Sequence, residues 1–167
     1  MTRAVLSLGS NMGDRLAFLR LAVEGFADVL EKASPVYETA PWGVTDQPDF
    51  LNAVLVVSSP DVDEWGWLRR GQALEAAANR VRDQRWGPRT LDVDVITVDG
   101  VTSDHPDLLL PHPGTPTRAT VLIPWLAIEP NAELPGHGRA TDLLAALPET
   151  DRAAVHERKD LNLTHPT

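Results

Sequence analysis

The apolar residues in the first part of the chain fall into two patterns. The short apolar run Ala4–Leu8 is typical of a buried strand, and a cluster of turn and cap residues, Gly9–Asp14, follows it. Beyond this cluster, apolar residues recur at helical spacing from Leu16 to Phe26. The pattern therefore predicts a strand, a capping turn and a helix.

Two more strands and a second helix are predicted in the middle of the chain. Ser34–Thr39 is predicted as a strand, and so is Phe50–Ser58, which is dense in β-branched and apolar residues. The segment between them, Ala40–Asp49, contains two prolines and a glycine and is predicted as a loop. Acidic residues from Asp61 onward suit the first turn of a helix that continues to about Ala78.

A second loop precedes the clearest strand of the sequence. Asn79–Arg89 has no apolar period and contains Gly87-Pro88, which favours a loop, whereas Thr90–Val98 has the composition of a strand. The order strand, helix, strand, strand, helix, strand predicts an α+β fold, a ferredoxin-like βαββαβ sandwich with an antiparallel sheet.

The last third of the chain predicts additional elements outside this core. Leu122–Ile128 and Ala140–Leu147 are predicted as extra C-terminal helices. We expect residues 1–148 to form a single domain and residues 149–167 to form a polar, loosely held tail.

Composition narrows the classes of function. The 167 residues carry a net charge of −9, which argues against nucleic acid as a partner because phosphate-backbone affinity depends on accumulated basic contacts. The chain has no cysteine, which excludes disulfides, thiolate nucleophiles and zinc–thiolate sites. No apolar run is long enough to span a bilayer or to act as a signal peptide, so we expect a cytoplasmic protein.

Two aspartates in the clearest strand suggest a metal site. Side chains alternate between the faces of a strand, so Asp92 and Asp94 point together to one face while Leu91, Val93 and Val95 point into the core. Two adjacent carboxylates repel each other, and a divalent cation resolves this repulsion; hard oxygen ligands favour magnesium. Taken alone, the pattern is more often a strand with one solvated face. Aspartate is, however, a poor strand former, and two of them in this strand need a reason.

The loop just upstream supplies that reason. It combines four arginines with Trp86 and Gly87-Pro88, and the arginines are Arg80, Arg82, Arg85 and Arg89. The planar guanidinium group suits phosphate oxygens, so the basic loop and the acidic pair together resemble the two halves of a clamp for magnesium and a polyphosphate. On charge alone, a solvated basic loop paired with surface acids remains an equal alternative.

Two other segments carry weaker signals. Gly9–Asp14 lies between a strand and a helix, where backbone N–H groups can gather an anion, but it lacks the lysine and the spacing of a P-loop. We interpret it as a capping turn. Leu110–Pro113, with Arg118 downstream, offers another anion contact, although His112 by itself is more often a plain loop histidine.

Together these segments closely resemble the 6-hydroxymethyl-7,8-dihydropterin pyrophosphokinases of the folate pathway. The likeness covers roughly residues 3 to 147, and the run from Arg85 to Asp94 is its most specific part. The matching stretches are Gly9–Asn11, Tyr37–Pro41, Asp46–Asn52, Arg85–Asp94, Leu110–Pro113 and Pro124–Pro130.

The resemblance implies an ATP-dependent diphosphotransferase that moves the pyrophosphoryl group of ATP to the hydroxymethyl group of the pterin, leaving AMP. The catalytic residues that it implies are Arg80, Arg82, Arg89, Asp92 and Asp94, and the two aspartates would bind two magnesium ions. The nucleotide would be bordered by Gln72, Glu75, Arg82, Arg89, His112 and Arg118. The pterin would be held by Thr39, Ala40, Trp42, Phe50, Asn52 and Trp86. We expect a monomer whose partners are ATP and the pterin, with no nucleic acid or membrane.

Thr120 keeps a second reading open. The family usually has an aromatic residue at this position, which stacks on the second face of the pterin. A relative that keeps the magnesium–ATP clamp but acts on another hydroxylated heterocycle is therefore an alternative. A non-catalytic nucleotide-binding module on the same scaffold is a third, although it explains neither the paired aspartates nor the arginines of the loop.

Overall fold

The computed structural model describes residues 2–40, 48–79 and 90–163 of the chain. The helices are α1 (Arg15–Gly25), α2 (Glu64–Asn79), α3 (Ala119–Ile128), α4 (Ala140–Ala145) and α5 (Glu149–Ala153), with short 3₁₀ turns at Ala27–Val29 and Thr115–Thr117. The strands are β1 (Thr2–Ser10), β2 (Leu30–Ala33), β3 (Tyr37–Thr39), β4 (Phe50–Ser59), β5 (Asp92–Val98), β6 (Ser103–His105), β7 (Leu108–Leu110), β8 (Glu133–Leu134), β9 (Gly138–Arg139) and β10 (His156–Glu157).

Six of the strands form one antiparallel sheet. Its order is β10-β3-β4-β1-β5, and β2 pairs with the same edge of β4 as β3, one after the other along that strand. The central pair, β1 and β4, runs in unbroken register from Thr2 opposite Ser59 to Ser10 opposite Leu51. With α1 and α2 as crossovers, this arrangement confirms the predicted ferredoxin-like βαββαβ fold.

Each face of the sheet has its own apolar layer. Leu6, Leu8 and Leu55 belong to the face that α1 and α2 cover, and all three are almost fully buried. The alternate residues, such as Val5 and Val56, face the other way and pack against α3 and α4. The two layers follow from the period of two along each strand, which sends successive side chains to opposite faces.

The predicted strand Ser34–Thr39 is shorter in the structure. The Ser34 hydroxyl accepts a hydrogen bond from the Val54 amide at 2.9 Å and donates to the Pro35 carbonyl at 2.8 Å, and Pro35 itself has no N–H to give to a ladder. The strand therefore begins only at Tyr37. Strand β2, which precedes it, is not predicted from the sequence, because Leu30–Ala33 is short, half polar and has no alternation.

The expectation of a loosely held tail is wrong for residues 149–163. This segment forms α5, pairs as β10 with β3, and buries Leu163 in the core beside α1. Its polar composition concealed these contacts, since its few apolar residues, Ala153–Val155, Leu161 and Leu163, form no regular period. The predicted helices Leu122–Ile128 and Ala140–Leu147 correspond to α3 and α4, and the boundary at residue 148 stays a prediction.

Within the described ranges, none of the helices combines the length and the apolar character that a membrane crossing needs. The longest, α2, is Glu64–Asn79, and it carries charged side chains along its length.

The Glu38 carboxylate joins three parts of the fold. It accepts hydrogen bonds from Arg15 at 2.7 Å, at the start of α1, and from Arg158 at 3.0 Å, beyond β10. Burial opposes the charged form, but the hydrogen bonds and charges of the two arginines outweigh it and lower the pKa of Glu38.

We expect Glu38→Gln to lower the free energy of unfolding by about 1 kcal/mol at neutral pH, because both charge-assisted hydrogen bonds are weakened. The pKa of Glu38 is lower in the folded chain, so this stabilisation is present above its ordinary pKa of 4.5 and is lost as the pH falls through the lowered value. Urea unfolding at about pH 7 and about pH 3 measures it.

Glu24→Gln, at an exposed position of α1, is the matched control and should leave the free energy of unfolding unchanged. An equal loss for Glu38→Gln at both pH values would contradict the ion-pair account.

Candidate active site

One face of the sheet changes from apolar to polar along the length of its strands. At one end it carries the apolar residues that α3 and α4 cover, and at the other end it carries Ser7 and Gly9 in β1. In the strand register Gly9 lies between Asn52 of β4 and Asp92 of β5. Directly paired residues point to the same face, so these positions form one row across three strands.

The second row places Asp94 beside Ser7. The side chains of Asp92 and Asp94 are both half-buried. Those of Val93 and Val95 point to the opposite face and are only 5% and 4% exposed. The predicted alternation is therefore confirmed, and the two carboxylates lie on one face of β5 at its N-terminal end.

This end of the sheet forms one side of a cavity of about 950 Å³. The strands, together with Ala40 directly after β3, contribute Ser7, Leu8, Gly9, Thr39, Ala40, Phe50, Asn52, Asp92 and Asp94 to the cavity lining. The remaining lining comes from the start of α3 and from the chain around α5, with residues Thr117, Arg118, Ala119, Thr120, Val121, Leu147, Pro148, Asp151 and Ala154. The cavity thus joins an apolar and amide-lined end to a carboxylate-lined end.

Gly9 keeps the space between these strands open. A Cβ atom at this position would lie 3.3 Å from Asn52 Oδ1 and 3.9 Å from Phe50 Cδ1. The Asn52 amide is held by its own contact, since its Nδ2 donates to Thr39 Oγ1 at 3.4 Å. The polar edge of Asn52 and the ring of Phe50 are therefore both accessible from the cavity.

Glu75 supports the strand that carries the aspartates. Its Oε2 accepts a hydrogen bond from the Val93 amide at 2.8 Å, between the two aspartates. Gly71, one helical turn earlier, allows this approach because a Cβ atom there would lie 2.9 Å from Val93 Cγ1. Burial, together with the charge and hydrogen bond of Asp92 and the charge of Asp94, raises the pKa of Glu75 to about 7 even though the Val93 N–H acts in the opposite direction.

Among the residues that the structure describes, Arg118 provides the cationic side chain that lines the cavity. It is exposed, and its guanidinium group lies against Gly114, where a Cβ atom would come within 2.7 Å of Arg118 Cζ. Nearby, His112 Nδ1 accepts a hydrogen bond from the Gly114 amide at 3.3 Å, and the His112 amide donates to the Ile96 carbonyl at 2.9 Å. The histidine is thus tied to β5 but is not part of the cavity lining.

The structure brings together seven of the site residues predicted from the sequence, namely Thr39, Ala40, Phe50, Asn52, Asp92, Asp94 and Arg118. Glu75 contacts Asp92 from behind the cavity, and Gln72 is exposed on the same helix. The other predicted residues, Trp42, Arg80, Arg82, Trp86 and Arg89, lie outside the described residues, as does Arg85. The roles of all these residues stay predictions.

Sequence reasoning missed two groups of cavity residues. Ser7 and Gly9 become part of the site only through their pairing with β4 and β5, which a local pattern does not show. Leu147, Pro148, Asp151 and Ala154 belong to the segment around the predicted tail, where the sequence carries no motif.

Comparison with known protein families shows which family the chain belongs to. The model of the family described as 7,8-dihydro-6-hydroxymethylpterin-pyrophosphokinase matches residues 5–130. The chain belongs to this family. The resemblance seen in the sequence is therefore confirmed.

Named relatives extend the pyrophosphokinase likeness over almost the whole chain. The 2-amino-4-hydroxy-6-hydroxymethyldihydropteridine pyrophosphokinase of Mycobacterium tuberculosis is 49% identical over 181 aligned positions, which cover 99% of this chain and 96% of the relative. The enzyme of the same name from Bacillus subtilis is 35% identical, with 83% of this chain and 85% of the relative covered.

Solved structures agree on the fold. The crystal structure of wild-type Plasmodium falciparum HPPK-DHPS matches with a TM-score of 0.67 at 13% identity over 86% of this chain. The chain spans 44% of that longer protein. At this identity the likeness supports the ferredoxin-like fold.

We expect Glu75→Gln to stabilise the protein at about pH 8 in the presence of a metal chelator, by about 1 kcal/mol, because the group is only partly buried. The pKa of Glu75 is raised from 4.5 to about 7, so the folded state holds this proton more tightly than the unfolded state. The wild-type free energy of unfolding therefore falls as the pH rises through this range. Glutamine keeps an acceptor for the Val93 amide but has no charge to bury.

Urea unfolding at about pH 8 and about pH 4 measures the difference, which should become small at the lower value because Glu75 is then mostly protonated in both states. Glu133→Gln, at an exposed position of β8, is the control. A Glu75→Gln variant that is less stable than wild type at the higher pH would be incompatible with this assignment.

Proposed function

We propose that this chain transfers the pyrophosphoryl group of ATP to the hydroxymethyl group of 6-hydroxymethyl-7,8-dihydropterin, releasing AMP, in folate biosynthesis. The observation that carries the proposal is the single cavity shared by the acceptor-type residues Phe50 and Asn52 and by the paired carboxylates of Asp92 and Asp94. Family membership supports the same reaction.

The acceptor end of the cavity has the chemistry that a flat heterocycle needs. Phe50 offers an aromatic face, and Asn52 offers both a donor and an acceptor to the edge of a ring. Thr39 holds the Asn52 amide and lies at the end of β3, next to the backbone of Ala40. Trp42 and Trp86 are proposed to complete this pocket on the strength of the sequence resemblance alone.

The carboxylate end fits magnesium. Asp92 and Asp94 present hard oxygen ligands on one strand face beside the cavity, and the Glu75 hydrogen bond to the Val93 amide steadies the backbone between them. Among the described residues, no group of three or more histidine, aspartate or glutamate side chains is arranged to hold a metal ion by itself. We therefore propose that the two carboxylates supply only part of the coordination of two magnesium ions. The oxygens of the triphosphate would supply other ligands. Magnesium held by Asp92 and Asp94 would supply positive charge that offsets the charge of the phosphates.

Arginines are proposed to hold the phosphates. Arg118 reaches the cavity, and its guanidinium group offers a planar set of donors to phosphate oxygens. Arg80, Arg82 and Arg89 are assigned to the same task by the resemblance, as are Gln72, Glu75 and His112 to the border of the nucleotide.

The transfer itself is an in-line displacement at the β-phosphorus of ATP. The hydroxymethyl oxygen of the pterin forms a bond to this phosphorus, the bond to the oxygen that bridges the α- and β-phosphates breaks, and AMP departs with that oxygen. The proton of the acceptor hydroxyl is released to water, and no side chain is assigned as its base. The protein contributes mainly by positioning the two substrates and neutralising charge. Use of ATP fits a cytoplasmic enzyme, proposed to act as a monomer on small-molecule substrates.

The test is to incubate the protein with magnesium–ATP and the hydroxymethyl dihydropterin and to follow AMP. Release of AMP that depends on this pterin supports the proposed reaction. Release that depends instead on another hydroxylated heterocycle favours the alternative that Thr120 suggested. No release with any acceptor would leave a non-catalytic nucleotide-binding module and would overturn the proposal.

We expect Asp94→Asn to reduce kcat/KM by about a hundredfold or more, because the variant loses one of the two charges that face the proposed ions. The midpoint of the magnesium dependence should also rise. Asp104→Asn, in the exposed strand β6, removes the same charge away from the cavity and should change neither quantity. Full activity of Asp94→Asn at limiting magnesium would contradict the metal role.

A further inference from the structure

Part of the cavity lining comes from beyond the region that the family model matches. That match ends at residue 130, whereas Leu147, Pro148, Asp151 and Ala154 also line the cavity. We call these four residues the C-terminal wall. Three of them are apolar and one is acidic.

The segment that follows the C-terminal wall in the sequence is bound to the sheet by several independent contacts. Strand β10 pairs with β3, the strand that ends at Thr39 on the cavity. The Arg158 amide donates to the Val36 carbonyl at 2.7 Å, and the Arg158 side chain pairs with Glu38 at 3.0 Å.

Farther along, Leu163 is buried in the core and Arg20 Nε donates to the Asn162 carbonyl at 2.8 Å. Together with the β10 pairing, these contacts hold the segment in place without any contribution from a ligand.

The C-terminal wall itself packs against α3. Leu147 packs with the apolar layer that α3 and α4 share, and α5 contacts α3. The first turn of α3 contributes Thr120 and Val121 to the same cavity, so the two segments form a continuous surface next to the sheet residues. This surface borders the cavity that also holds the Phe50 ring and the Asn52 amide.

We propose that the C-terminal wall encloses the acceptor ring and selects its size, which makes Ala154 a specificity-determining position. The inference rests on the proposed function and adds to it. Leu147, Pro148 and Ala154 offer an apolar surface suited to the face of a flat bicyclic ring, and the small side chain of Ala154, at the C-terminal end of α5, leaves room for it. A larger side chain there fills space that the acceptor occupies, while the nucleotide end, at Asp92 and Asp94, keeps its room.

The test compares Ala154→Phe with Ala153→Phe. The two positions are neighbours, but Ala153 is exposed and is not part of the lining, so it controls for a large apolar residue in α5. For Ala154→Phe we expect the KM for hydroxymethyl dihydropterin to rise about tenfold or more with the KM for ATP unchanged, whereas Ala153→Phe should change neither. Fluorescence titration with 6-hydroxymethylpterin, in the presence of a non-hydrolysable ATP analogue, should show the same loss of affinity without turnover.

Unchanged pterin binding in a folded Ala154→Phe protein would overturn the role of the C-terminal wall while leaving the proposed reaction intact. Thermal unfolding establishes that both variants fold, and Ala154→Leu with Ala153→Leu gives the same comparison should the larger side chain prevent folding. A wild-type protein that releases no pterin-dependent AMP would instead overturn the proposed function, and the acceptor role of the wall with it.

Discussion

The position of β1 between β4 and β5 is the constraint on which the site depends. From Ala4 to Gly9 the residues of this strand have partners on both sides, so a single substitution there alters a row of three side chains. At Val5 the row includes Val56 and packs against α3 and α4, and at Gly9 the row is polar and borders the cavity. One strand therefore defines both where the second core ends and where the cavity begins.

The same constraint explains which parts were predictable. The apolar runs of β1 and β4, the alternation in β5 and the helical period of α1 are all local in the sequence and identify these elements. Asp92 and Asp94 could be assigned to one face because only their own strand is needed for the argument. Gly9 could not be assigned to the cavity, since its role comes from Asn52 and Asp92, which are distant in the sequence.

The C-terminal segment was unpredictable for a different reason. Its contacts are made by backbone pairing, by Arg158 and by two leucines, and none of these produces a period that identifies an element. A polar segment of this kind is read as a tail unless its partners are known. Its docking depends on Glu38, in β3, and on Val36, which lies just before that strand.

The charges around β5 show how a stable fold tolerates an unfavourable cluster. Three carboxylates, Glu75, Asp92 and Asp94, lie near one another, and the pKa of Glu75 is raised by its burial and, to a smaller extent, by the two aspartates. The apolar contacts of Val93 and Val95 on the opposite face hold the strand against this repulsion. Perturbed pKa values of this kind cluster at functional sites.

The short strand β10 has a consequence for association between molecules. Without it, β3 would present unpaired backbone N–H and C=O groups at the sheet edge, which is a template for joining another chain edge to edge. β10 covers this edge with only two residues, His156 and Glu157, both exposed. Such a brief polar border offers little to a neighbouring strand and so guards the sheet against aggregation.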